Sequence, residues 1–245
     1  MEASHTPARL AETEKSRFLG KTYGWMALAL CISALAAYVT SGSETLLAFL
    51  FGASGTSGTK STPVGFIGLV ILELLLVFGL SASIRKIPVG LAVLGFVVYA
   101  IVNGMTLSSL FFVYQISSIA MAFFSTAILF SVMSLWGMST KRNLASWGRY
   151  LMMALLGVII ASLTGGLISF FTKTPLPMLD ILVSVATVII FTALTAYDSQ
   201  KLLKTAEYAR NTDDYKKVSV LAALELYLDF INLLLALLRI FGKKK

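Results

Sequence analysis

Long apolar runs separated by short polar stretches dominate the chain. Seven of them cover residues 22–40, 64–83, 89–113, 118–138, 149–171, 178–200 and 218–240. About 20 helical residues cross a hydrocarbon layer of about 30 Å, and every run is close to that length or beyond it. Strands of a membrane barrel would be about ten residues long and strictly alternating, whereas these runs are continuous. The pattern predicts an all-α membrane protein, a seven-transmembrane helical bundle, with a single transmembrane domain over 22–242. Residues 1–21 mix both signs of charge (Glu2, Arg9, Glu12, Glu14, Lys15, Arg17, Lys21) and are expected to form a flexible tail. They lack the basic-then-apolar order of a cleavable signal peptide. Residues 243–245 make a basic C-terminal tail. Of the longer connections, 42–63 holds Gly52-Ala53-Ser54-Gly55-Thr56-Ser57-Gly58 and reads as a flexible linker. The charged stretch 199–217 reads as a continuation of the sixth helix into water.

Composition sharpens this picture. Hydrophobic residues make up 57% of the 245 and charged residues 13%, with a mean hydropathy of +0.84. That leaves too little polar surface to clothe a soluble globule. The formal charge of +8 raises the question of nucleic acid, but the basic residues sit between apolar runs with no stripe of interleaved aromatics. They are expected to meet anionic headgroups of the bilayer instead. Cys31 is the single cysteine, which precludes an intrachain disulfide. The single histidine, His5, lies in the tail, so a zinc site is not expected.

Most of the 20 Lys and Arg residues fall on one side of the membrane if the N-terminus is cytoplasmic. That side then holds the tail, Arg85 and Lys86, the group Lys141, Arg142 and Arg149, and the connection between runs six and seven. This is the bias that cytoplasmic loops carry. Lys243–Lys245 oppose it, falling outside if the seventh run crosses fully. Full crossing is the expectation, and a re-entrant last segment is the alternative.

Of the 12 acidic residues, five lie inside apolar runs: Glu73, Asp180, Asp198, Glu225 and Asp229. An ionised Asp at a helix centre costs about 2.5–3.5 kcal/mol on insertion scales, so such residues usually face the interior and belong to ion or proton paths. Asp229 sits near the middle of the last run, with Glu225 at i−4 and Asn232 at i+3 on the same helical face. Asp198 lies near the inner end of run six. Asp180 follows Pro175 and Pro177 and reads as a first-turn residue at the positive end of a helix. Glu73 lies half-way along run two, either as a hydrogen-bonded packing residue or as a functional one. Two facing carboxylates about 4 Å apart repel by about 4 kcal/mol at an effective dielectric near 20, so they exchange a shared proton as a unit. Loss of that proton leaves two anions that separate or attract a hard cation such as Ca²⁺.

The segments Ala196-Tyr197-Asp198-Ser199-Gln200, Leu226-Tyr227-Leu228-Asp229-Phe230-Ile231-Asn232-Leu233 and Leu238-Arg239-Ile240-Phe241-Gly242, in that order, resemble the Bax inhibitor-1 family of transmembrane proteins. The likeness in length and span number covers nearly the whole chain, and the specific motifs lie in residues 178–242. The resemblance implies a seven-helix bundle with the last helix central. It also implies a pH-sensing pair, Asp198 and Asp229, that controls a Ca²⁺ leak and contacts the ion in passing, with Arg85 as a latch at the inner end of run two. Glu73 matches a family acidic residue, and Ser199 stands where Thr is common. Glu73, Glu225 and Asn232 are candidate pore-lining groups. No cofactor is expected, and the resemblance implies calcium as the transported ion. Deprotonation of the pair is expected to open the path unless Arg85 compensates the charge.

Two other readings compete with this one. Paired membrane aspartates also make intramembrane proteases, and Tyr197-Asp198 matches half of that signature. The Gly-x-Gly-Asp half is missing, because Asp229 follows Leu226-Tyr227-Leu228, so no enzyme is expected. The second alternative is a non-conducting protein that binds a membrane protease, a cell-death regulator or another membrane protein. Compact loops favour a bacterial plasma (inner) membrane.

Overall fold

The computed structural model describes residues 7–52, 64–83, 86–208 and 213–245. Nine helices are formed among them: α1 (Pro7–Ser41), α2 (Glu44–Phe51), α3 (Val64–Ser83), α4 (Val89–Leu107), α5 (Leu110–Val113), α6 (Ile116–Ser139), α7 (Ala145–Thr172), α8 (Pro177–Ala206) and α9 (Asp213–Phe241). Seven helical segments are long and apolar enough to cross a membrane, from Glu12–Ser41 to Asp214–Phe241, in register with the seven apolar runs. The protein is an all-α, seven-span membrane protein. The last span is the most enclosed: 67% of its apolar window is buried, against 39% at most for any other.

Two segments depart from the sequence expectation. The first helix begins at Pro7, so residues 7–21 are helical and not a flexible tail. Proline fits the first helical position, where no N–H is needed, and neither Pro nor Gly follows before Gly20. The first part of the expected 42–63 linker is helix α2. Ser43 caps it by accepting from the Leu46 N–H (3.4 Å). Gly52 ends it in a left-handed conformation (φ 63°), its N–H donating to the Ala48 carbonyl, a backbone state that favours glycine. The Gly/Ser/Thr run 53–58 and Arg85 lie outside the described residues.

The chain forms two compact units. One comprises residues 1–113 with 209–224, the other residues 114–208 with 225–245. In the first, α4 packs on both α1 and α3. The Ser33 hydroxyl donates to the Ala100 carbonyl (2.7 Å). The first turns of α9 also join this unit, through a hydrogen bond between the Thr22 and Ser219 hydroxyls (2.8 Å) and an edge-to-face pair, Phe18 with Tyr215.

In the second unit α8 packs on α6 and α7. Ile190, Phe191 and Leu194 of α8 form one apolar cluster with Leu233 and Leu237 of α9. Phe230 stands edge-on to Phe123 and Phe130 of α6, at 5.5 and 5.6 Å. The Gln115 N–H donates to the Lys243 carbonyl and the Lys243 N–H to the Ser118 hydroxyl, which ties the C-terminus to the start of α6. At the other end of α6, Lys204 donates to Asn143 (2.9 Å). Lys201, near that end of α8, pairs with Glu225 of α9 (2.8 Å), so within this unit α9 runs from the α6–α7 end to the start of α6.

Candidate functional site

The run Ala196-Tyr197-Asp198-Ser199-Gln200 closes α8, and each of its residues meets a different neighbour in the second unit. At Ala196, α6 contributes Gly137: a Cβ on Gly137 would collide with the Ala196 backbone, carbonyl oxygen included. At Tyr197, α7 contributes Gly148, where a Cβ would meet the phenol ring at 2.7–2.8 Å. The Ser199 hydroxyl donates to that of Ser134 on α6 (3.0 Å). The Gln200 amide spans the turn between α6 and α7, accepting from the Leu144 N–H (2.9 Å) and donating to the Arg142 carbonyl (2.8 Å). Four residues thus fix the height and rotation of α8 against α6 and α7, leaving the fifth, Asp198, to face α9.

Asp198 is half-buried, whereas Asp229 is only 4% exposed. The two carboxyls are hydrogen-bonded to each other. Ionised carboxylates only accept, so a hydrogen bond between the two requires a proton on one of them. The other oxygen of Asp229, Oδ2, is enclosed without a hydrogen-bond partner among the described residues. A buried polar atom in that state carries a desolvation cost of about 1–3 kcal/mol.

One helical turn away stands an ion pair, Lys201 Nζ to Glu225 Oε2 at 2.8 Å. Lys201 is i+3 from Asp198 and Glu225 is i−4 from Asp229, so each member shares a face with one aspartate. Its side chains are 51% and 36% exposed, against 4% for Asp229. Lys201 and Glu225 both act electrostatically on Asp198 and Asp229. Lys201 was not among the sequence candidates. Its signal was the i+3 spacing from Asp198, masked because it also reads as one of several charges in a solvated connection.

The other sequence candidates are placed elsewhere or differently occupied. Asn232 donates its amide to the Leu228 carbonyl one turn back on its own helix (2.8 Å). Glu73 lies in the first unit, where it accepts from the Thr106 hydroxyl (2.6 Å) and from the Asn103 amide, both on α4. Asp180 is exposed in the first turn of α8, as its position after Pro177 suggested. Among the described residues, no three His, Cys, Asp or Glu side chains converge as a metal-holding group. Ca²⁺ takes six to eight oxygens, more than the Asp198–Asp229 pair alone supplies.

Comparison with known proteins identifies the family. Residues 15–245 match the protein-family model described as inhibitor of apoptosis-promoting Bax1. The inner membrane protein YbhL of Escherichia coli (strain K12) is 42% identical over 230 residues, covering 93% of this chain and 92% of YbhL. A protein of Borreliella burgdorferi is 38% identical over 232 residues, with 94% of each chain covered. A third, RP147 of Rickettsia prowazekii, is 35% identical over 229 residues, covering 94% of this chain and 90% of its own length. With seven apolar spans and a family match across almost its whole length, the chain is an integral, multi-pass membrane protein that belongs to the Bax inhibitor-1 family.

Proposed function

We propose that the protein passes Ca²⁺ passively across a bacterial inner membrane, its N-terminus cytoplasmic, and that the Asp198–Asp229 pair is the pH-sensitive gate. The observation that carries this reading is the carboxyl–carboxyl hydrogen bond between two different spans, α8 and α9. A single proton there links the helices. Its loss replaces a bond with a repulsion of about 4 kcal/mol for charges 4 Å apart at an effective dielectric near 20, enough to favour separation of the spans at that level. The freed carboxylates then offer hard oxygens to a divalent cation. Flux is therefore expected to rise as pH rises. Lys201, held by Glu225, supplies a nearby positive charge that tempers the repulsion, the part the family resemblance gives to Arg85.

Purified protein in sealed liposomes with a Ca²⁺ indicator inside tests the conductance itself. The proposal expects Ca²⁺ entry above that of protein-free liposomes, and entry lower in Asp229→Asn. Folded wild-type protein that admits no Ca²⁺ at any pH would overturn it. The alternative of a non-conducting partner of a membrane protease or another membrane protein would then stand.

A further inference from the structure

The first unit contains a cleft of about 450 Å³ that the aspartate site does not use. Lys21, Trp25 and Leu28 of α1, Val89 and Val93 of α4, and Lys216 of α9 line it. Its polar groups are few and of one sign. Ser219 is also on the wall but is engaged with Thr22 (2.8 Å), and the charged lining groups are Lys21 and Lys216. Helix α4 starts at this cleft with Val89, and Pro88 gives it no side-chain cap, so the positive end of its backbone dipole adds to the two ammonium groups. The remaining wall is aliphatic and indole. Such a surface sets cationic donors beside an apolar wall; it fits an anion joined to a hydrocarbon chain.

Depth in the bilayer narrows the class further. Lys21 and Lys216 each stand just before the apolar part of their helix, the level of lipid headgroups. Trp25 lies one turn deeper, where indoles anchor at the membrane interface. Leu28, two turns in, is 47% exposed to the surroundings of the protein, so the cleft opens sideways to lipid along its apolar part. We propose that it binds one anionic phospholipid, with the phosphate between Lys21 and Lys216 and the first part of an acyl chain along Trp25, Leu28 and Val93. Basic pockets between spans bind anionic headgroups by this physics. The volume is too small for a whole phospholipid, so most of the chain stays in the bilayer.

Trp25 is a built-in reporter. With Trp136→Phe and Trp147→Phe removing the other two of the three tryptophans, its fluorescence is read in phosphatidylcholine nanodiscs carrying increasing fractions of acyl-brominated phosphatidylglycerol or brominated phosphatidylcholine. The proposal expects saturable quenching at a much lower fraction of the anionic lipid. At roughly a fivefold contribution per lysine, Lys21→Gln/Lys216→Gln weakens that preference roughly thirtyfold, and added salt weakens it in the wild type. Lys21→Arg/Lys216→Arg retains it. If the double Gln variant does not fold, Lys216→Gln alone should lose roughly fivefold. Equal quenching by both lipids, or an anionic preference that survives the Gln substitutions, would overturn the proposal. So would relief of quenching by millimolar inorganic phosphate, which would mark a site for the free anion.

Discussion

Gly137→Ala probes how α8 is seated and can be worked from the structure. The new methyl has no free volume: it would overlap the backbone of Ala196, which cannot rotate away as a side-chain tip would. Forcing a methyl into a filled interior costs about 1–3 kcal/mol. The usual helix-propensity gain of Ala over Gly, about 1 kcal/mol in water, offsets little here, because a spanning helix keeps its backbone bonds within the bilayer even when its neighbours separate. Gly157→Ala on α7 is the matched control, with nothing within 4 Å of its Cβ, and should stay within about 0.5 kcal/mol of wild type. For a chain of this size each kcal/mol moves the melting midpoint by about 2–4 °C, so Gly137→Ala should melt about 2–12 °C lower in detergent and Gly157→Ala within about 2 °C of wild type. Intrinsic fluorescence on heating reads both. Because Ala196 is two residues from Asp198, Gly137→Ala should also disturb flux while Gly157→Ala does not. Equal melting and equal flux for the two variants would refute the claim that close approach of α6 and α8 sets the site.

Gln200→Ala strands the Leu144 N–H and the Arg142 carbonyl together, so a loss of about 1–3 kcal/mol is expected, with faster amide hydrogen exchange across residues 140–144; unchanged exchange there would contradict the bridging role. Lys201→Gln should cost less than about 1 kcal/mol, because its ion pair with Glu225 is well exposed and such pairs contribute little to stability. It should nevertheless move the pH at which flux is half-maximal upward, since a cation near the aspartates is lost; a large fall in melting temperature with an unmoved pH profile would reverse that assignment. Thr106→Val removes a hydroxyl that donates to Glu73 at 2.6 Å and should cost about 1–3 kcal/mol. Adding Glu73→Leu should recover part of it, and a lack of recovery on melting would show that the two groups are not coupled.

What could be read from the sequence followed from how strongly each feature is imposed. The seven spans were legible because the bilayer demands about 20 apolar residues in every one, a requirement that no tertiary contact relaxes. Helix 7–21 was not legible as structure, since its polar residues fit a solvated tail as well as a helix. Its stability comes from contacts such as Phe18 with Tyr215, distant in sequence. Asp229 was identifiable from the cost of an acid amid Leu and Phe. Its partnership with Asp198 entered through family resemblance, and only the arrangement of α8 and α9 brings the two carboxyls together. Lys201 was hidden among other charges. Gly137 and Gly148 were indistinguishable from Gly157 and Gly166, because a glycine's sequence surroundings do not say whether a backbone lies over it.

The carboxyl pair is most directly tested by Ca²⁺ flux into liposomes as a function of pH, between about pH 6 and pH 8, for wild type and for Asp198→Asn/Asp229→Asn. Two amides still hydrogen-bond one another but cannot lose the proton or carry charge in this range. The account predicts wild-type flux that rises with pH and a double variant whose flux is low and flat. A double variant that keeps the wild-type pH profile would contradict it.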